Sequence, residues 1–347
     1  FGDVVVIANQ SRATVEFRVA SFGAQPVRDK VATGEVVVVP SRGSSELLYD
    51  IDGNLIRHHL DANAAYYFAH DQDRWLRIHK IDLGGTEETF AGRDLPDRAE
   101  GAPEIGEIPV KILVDDNEPT TRRIWEPRLR RRLAQVSDIL EQHCRLRLKI
   151  VAVDQWNSDD SIQDVRQGLL EFEREVDPAP AWLAIGFTGK YRSEPGRVHL
   201  GGAQGLLRPH ILIREWSPNM TEPERLEVLL HEVGHYLGSV HSPDPNSVMR
   251  PVLADNKAIV RQFRIVFDPV NTLIMSMVGE EVRHRQARSI NMMSQATRTR
   301  LNQIYGALAK AVPNDKTARQ FQFQLGLVAS SPLARATREV VRRVADI

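Results

Sequence analysis

His231-Glu232-Val233-Gly234-His235-Tyr236-Leu237-Gly238-Ser239-Val240-His241 is the stretch on which the reading of this chain turns. His231 and His235 stand four residues apart, so on a helix they project from one face, a turn apart, and can grip one metal ion together. Glu232 sets a carboxylate beside them. Gly238 accepts positive φ without a Cβ clash, which lets the chain turn after the helix and return His241 to the same point. Three neutral imidazoles leave a fourth position open for water, the pattern of a catalytic zinc site rather than a structural one. Zinc lowers the pKa of such a water from ~16 towards ~7, and a nearby carboxylate can then take its proton.

The residues around the string agree with a helix. Thr221-Glu222-Pro223-Glu224 reads as a capping box with an early proline, and Leu226, Leu229, Leu230, Val233 and Leu237 follow at helical spacing. Past the third histidine come Ser242 and then Pro243-Asp244-Pro245-Asn246-Ser247-Val248-Met249-Arg250-Pro251. The histidine string, the serine after it and this methionine-bearing turn together resemble the matrixins, a branch of the metzincin zinc proteases. The likeness is strongest over 221–251 and thinner over 107–220.

That resemblance implies a zinc ion held by His231, His235 and His241, with Glu232 as general base. It also places Met249 in a turn beneath the metal, as an apolar floor under the imidazoles. Departures from the family pattern limit the transfer. Position 250 is arginine where the turn commonly carries tyrosine, and no tyrosine stands two residues after Met249, which argues against a fifth ligand of the astacin or serralysin kind. The His-Gly-Asp start of the structural zinc site of animal matrixins is missing, so His199 and His210 are expected to be ordinary strand histidines. No acidic loop has EF-hand spacing, and calcium therefore lacks support. The Pro-Arg-Cys-Gly setting of a cysteine switch is absent around Cys144, so thiol latency is not expected.

The 347 residues, 42% hydrophobic and 26% charged, suffice for two cores. A formal net charge of −1 argues against nucleic acid as a main partner. The arginines at 128, 130, 131 and 132 are expected on the solvated side of a helix whose apolar side is Trp125, Leu129, Leu133, Val136 and Leu140. A single cysteine excludes an intrachain disulfide, and Cys144 is expected to be buried packing. No apolar run approaches the ~18 residues of a membrane span. The chain begins at Phe1, which fits a processed product; secretion or a cell-envelope location follows from the resemblance alone.

The expected architecture is multidomain: an N-terminal all-β, sandwich-like module followed by an α/β zincin (metzincin-like) catalytic domain with a mixed twisted sheet, an active-site helix and a helical C-terminal region. Residues 1–83 form the β module, with β-prone runs at 4–7, 13–19, 36–39 and 66–68 and a turn at Asp52-Gly53. Its histidines, His58, His59, His70 and His79, lack ligand spacing. Residues 84–106 read as a linker, within which Asp94 is a remote candidate for blocking the metal position in a latent form. Residues 107–312 form the catalytic domain: strands at 108–114, 146–153, 181–187 and 209–213, and helices at 125–143, 162–176 and 296–308.

By the same resemblance, 199–205 would be an antiparallel edge strand against which an extended peptide can lie, with Gly201-Gly202 allowing close approach; a simple turn is the rival reading. A helical insertion at about 253–293, apolar at 270–278, would either wall the substrate pocket or serve as packing. Residues 313–347 form a helical tail. These features imply a zinc-dependent metalloendopeptidase acting on protein or peptide substrates. The alternative is a secreted binding or adhesion protein with a latent or vestigial zinc site. Substrate and oligomeric state stay open.

Overall fold

The computed structural model describes residues 3–21, 26–41, 45–51, 53–72, 74–84, 104–162, 164–189, 200–215, 220–253, 255, 257–260 and 264–326. Two antiparallel-rich sheets open the chain. Strands β1 (Asp3–Asn9), β4 (Val36–Ser41), β7 (Ala64–His70) and β8 (Leu76–Lys80) form one, in the order β4-β1-β7-β8. Strands β2 (Val15–Ser21), β3 (Val27–Val31), β5 (Ser45–Ile51) and β6 (Asn54–Leu60) form the other, in the order β3-β2-β5-β6. The hairpin β5–β6 turns at Gly53, whose φ of +82° suits glycine.

Alternation along β1 explains its unbroken apolar run. Val5 and Ile7 face the second sheet and pack with Phe17, Val19, Leu47, Tyr49 and Phe68 inside the sandwich. Val4 and Val6 point the other way and join the core of the following α/β unit, together with Ala65. A strand buried on both faces has no polar side to show, so it reads as continuous valine and isoleucine. The β module therefore has its own core and also shares one with its neighbour.

The α/β unit is built on a five-stranded mixed sheet in the order β10-β9-β11-β13-β12. Strands β9 (Gly106–Asp115), β10 (Leu146–Trp156), β11 (Leu183–Thr188) and β13 (His210–Arg214) are parallel, and β12 (Gly201–Ala203) is the antiparallel edge. Helices α1 (Arg122–Cys144), α3 (Glu222–Tyr236), α4 (Pro269–Arg285) and α5 (Gln295–Ala311) pack on one face, over Ile108, Val110, Ile112 and Val114. Helix α2 (Val165–Glu175) covers the other, where Leu169 and Phe172 meet Leu113, Ala184 and Leu212. Helix α6 (Thr317–Gln324) lies after α5 and packs on it. No described helix is long and apolar enough to cross a membrane.

One expectation is corrected here, and one pair of alternatives is narrowed. The apolar side of α1 is buried as read, yet Arg132 is buried with it rather than solvated, because position 132 falls on the same face as Leu129 and Val136. Its guanidinium pairs with Glu215 at 2.6 Å and Glu222 at 2.7 Å, and Arg128 also reaches Glu215 at 3.3 Å, so the charge is neutralised inside the fold. Of the two readings of the apolar run 270–278, the packing one matches its burial. The run belongs to α4, whose Leu273, Ile274, Met275 and Val278 are fully buried, and α4 packs on β1, β4 and β7 as well as on α1. Most of the stretch 84–106, Asp94 included, and all of the tail beyond residue 326 lie outside the described residues.

Candidate metal centre

Helix α3 begins at its capping box, where the Glu224 carboxylate accepts from the backbone N–H and the hydroxyl of Thr221, each at 2.8 Å. It ends at Gly238. The N–H of Ser239 bonds the Gly234 carbonyl at 2.8 Å and the N–H of Gly238 bonds that of His235 at 3.0 Å, a Schellman pair that requires a left-handed residue between. Gly238 supplies it with φ +90°, and a Cβ there would also stand 2.8 Å from the Tyr305 hydroxyl. The turn returns the chain across the helix, and His231, His235 and His241 converge with their ligand nitrogens within 4.8 Å of one another.

Each ring is fixed from behind. The Nδ1–H of His231 donates to the Val248 carbonyl at 2.8 Å, that of His235 to the Ser239 carbonyl at 2.8 Å, and that of His241 to the Asp315 carboxylate at 2.6 Å. These oxygens only accept, which assigns the proton to Nδ1 and leaves every Nε2 with a bare lone pair facing the centre. The Nε2 atoms of His231 and His235 lie 3.0 Å apart. Two lone pairs at that distance repel unless a cation sits between their directions, so the donor set fits a zinc ion. Burial, then the neighbouring His235 ring, holds His231 well below the usual histidine range. Burial, then His241, brings His235 down to about 4. Both are held in the neutral form that a metal needs.

Glu232 is buried beside the trio, and burial pushes its carboxyl up to about 8. Its side chain lies against the edge strand. A Cβ on Gly201 would fall 2.8 Å from Glu232 Cγ and 3.0 Å from Oε1. Residues 201–203 do form an antiparallel edge strand rather than a simple turn, and the glycine at 201 makes room for the carboxylate of Glu232.

Met249 is fully buried under the helix, where a Cβ on Gly234 would stand 2.7 Å from its sulfur. The turn around it is tied at both ends: Ser242 N–H bonds the Met249 carbonyl at 2.9 Å, and the Ser247 hydroxyl, itself bonded to Asp268 at 2.8 Å, accepts from Met249 N–H at 3.1 Å. Arg250, the departure from the family turn, is buried and pairs with Glu227 at 2.6 Å and Asp255 at 2.8 Å. Glu227 lies one helical turn before His231, so Arg250 staples the turn to the helix that carries the first two histidines.

Sequence reading missed the groups that hold the returning loop. Asn271 clamps both the N–H and the carbonyl of Val240, at 2.9 and 3.0 Å; Tyr305 donates to the Gly238 carbonyl at 2.7 Å; Asp315 holds His241. All three lie far along the chain, where no spacing ties them to the histidine string. Of the other histidines, His210 on β13 donates from Nε2 to the carbonyl of Val176, at the end of α2, at 2.8 Å, and His199 lies outside the described residues. His58 meets Tyr66 edge-on and His79 stacks on Tyr67, both in the β module. Cys144 is buried, with its thiol pushed up to about 12 by burial.

Residues 136–269 match the matrixin family model. No curated protein matches the chain. Among solved structures, archaemetzincin from Methanopyrus kandleri shares 16% identity at a TM-score of 0.39, covering 51% of this chain and 97% of its own. Archaemetzincin from Archaeoglobus fulgidus, solved with malonate, shares 18% identity at a TM-score of 0.29, covering 41% of this chain and 85% of its own. Likenesses this distant leave the strand order and the histidine geometry to speak for themselves. The likeness to the matrixins is carried by residues 136–269, the stretch that holds His231, Glu232, His235, His241 and Met249.

Proposed function

We propose that the protein is a zinc-dependent metalloendopeptidase, with His231, His235 and His241 as the metal ligands and Glu232 as general base. The observation that carries the reading is the convergence of three Nε2 lone pairs, each ring held by its Nδ1–H, beside a buried carboxylate that no ion pair occupies among the described residues. A bound zinc supplies Lewis acidity, which makes a water acidic and polarises a scissile carbonyl. The protein residues do the rest. Glu232 takes a proton from the attacking water and hands it to the leaving amine, and a positive centre at the histidines favours the carboxylate form that burial alone disfavours. Among the described residues β12 is the outermost strand of its sheet, and its outer edge offers backbone groups of Gly201 and Ala203 to an extended peptide next to Glu232.

The test is digestion of a mixed peptide library by the zinc-loaded chain, with and without a chelator, sorted by where the cuts fall. Internal cuts that vanish with the metal support the reading. Cuts confined to chain ends would replace it with an exopeptidase, and zinc binding without any cleavage would favour a binding protein with a vestigial site.

A further inference from the structure

The third ligand, His241, sits in a loop rather than on the helix, and the group behind it comes from the connection between α5 and α6. The Asp315 carboxylate is 2.6 Å from His241 Nδ1. Its other oxygen accepts from the backbone N–H of Thr317 at 2.8 Å and from the Thr317 hydroxyl. Thr317 Oγ1 in turn accepts from the His241 backbone N–H at 3.3 Å, so the side chain and the main chain of His241 are both gripped by one Asp-x-Thr turn. Helix α6 then continues across the site. Phe321 is buried with its ring 6.0 Å from that of His235 and 5.8 Å from that of Tyr305, and Gln324 donates to the Gln204 carbonyl at 2.7 Å, just past β12. The whole strap lies beyond residue 269, where the match to the matrixin model ends.

Two histidines on a rigid helix need only carbonyl partners to fix their rings. A histidine on a loop has two side-chain torsions and a mobile backbone to settle, and an anionic acceptor both orients the ring and raises its basicity as a ligand. We propose that Asp315 is the positioning residue for the third zinc ligand, so that the metal site is completed by the strap 315–324 rather than by the histidine string alone. The inference rests on the zinc reading above. It assigns to this segment a role in metal retention that neither helix propensity nor core packing would give it.

The experiment is zinc affinity by chelator competition on the full chain, with the absorption spectrum of the cobalt-substituted protein as a second readout. The variants are D315A, D315N and, as a control in the same strap away from the histidines, Q324A. D315A is expected to weaken zinc 10- to 100-fold and to change the cobalt spectrum. D315N keeps an acceptor but not the charge, so it should fall between D315A and wild type, and Q324A should stay within about twofold of wild type. If D315A does not fold, the intermediate loss in D315N decides. Wild-type affinity and spectrum in the aspartate variants, or an equal loss in Q324A, would overturn the proposal while leaving the zinc reading intact. A wild-type chain that binds no zinc would overturn both.

Discussion

Glu232 and Gly201 occupy each other's space, since a methyl group on Gly201 would sit 2.8 Å from the glutamate's Cγ. Substituting Gly201→Ala should therefore turn the carboxylate away while leaving the histidines untouched: kcat is expected to fall on the order of 100-fold, with zinc affinity unchanged. Equal activity in the alanine variant would show that the carboxylate has room to spare. A second residue-scale consequence concerns His143, fully buried against Thr272 and brought down to about 4 by burial, with Asp268 opposing. A histidine whose folded pKa lies below its unfolded value of ~6.5 stabilises the fold above that value, and the contribution is lost as pH falls towards 4. The metal-free wild type should lose on the order of 3 kcal/mol more than His143→Gln between pH 7 and pH 4, measured by denaturant unfolding. At this scale the sequence was most informative where chemistry is local. The three histidines, Glu232, Gly238 and Met249 are recognisable by spacing, whereas Asp315 and the closeness of Gly201 to Glu232 are products of folding that no local pattern encodes.

At the scale of elements, the turn bearing Met249 and the helix α3 are joined by the Arg250–Glu227 pair, both partners being buried. Removing the arginine leaves Glu227 as an uncompensated buried charge, so Arg250→Ala should destabilise the metal-free chain by about 3 kcal/mol or more, and adding Glu227→Leu should recover part of the loss. A loss in the single variant that the second change deepens would contradict the pairing. The helix itself was legible because a capping box, a proline and a 3.6-residue apolar period all point the same way. Strands β3, β6 and β8 were not. They lie at sheet edges, expose one or both faces, and carry sequences such as Val27-Arg28-Asp29-Lys30-Val31, in which charge hides the β pattern. On α1 the apolar period predicts the buried face, but charge is a poor guide to exposure there. Arg132 shows that a buried face can include a guanidinium when two carboxylates meet it.

For the whole molecule, the β module and the α/β unit share a core through Val4, Val6 and Ala65, and Arg300 of α5 reaches back to the carbonyls of Asn63 and Gly84 at 3.1 and 2.6 Å. Two units joined by an apolar face should unfold together. Calorimetry of the full chain is expected to give one transition, which Val6→Ala lowers as a unit by about 2 kcal/mol of stability. Two separate transitions, only one of them sensitive to Val6, would contradict the shared core. From sequence alone this docking was invisible, because a strand buried on both faces looks like any apolar strand. All of these supports converge on one carboxylate beside three imidazoles. The direct test of that centre is peptide hydrolysis by the wild type and Glu232→Gln at equal, measured zinc content. Full metal in both with cleavage lowered 100-fold or more in the variant is the expected result; cleavage by Glu232→Gln at the wild-type rate would contradict the account.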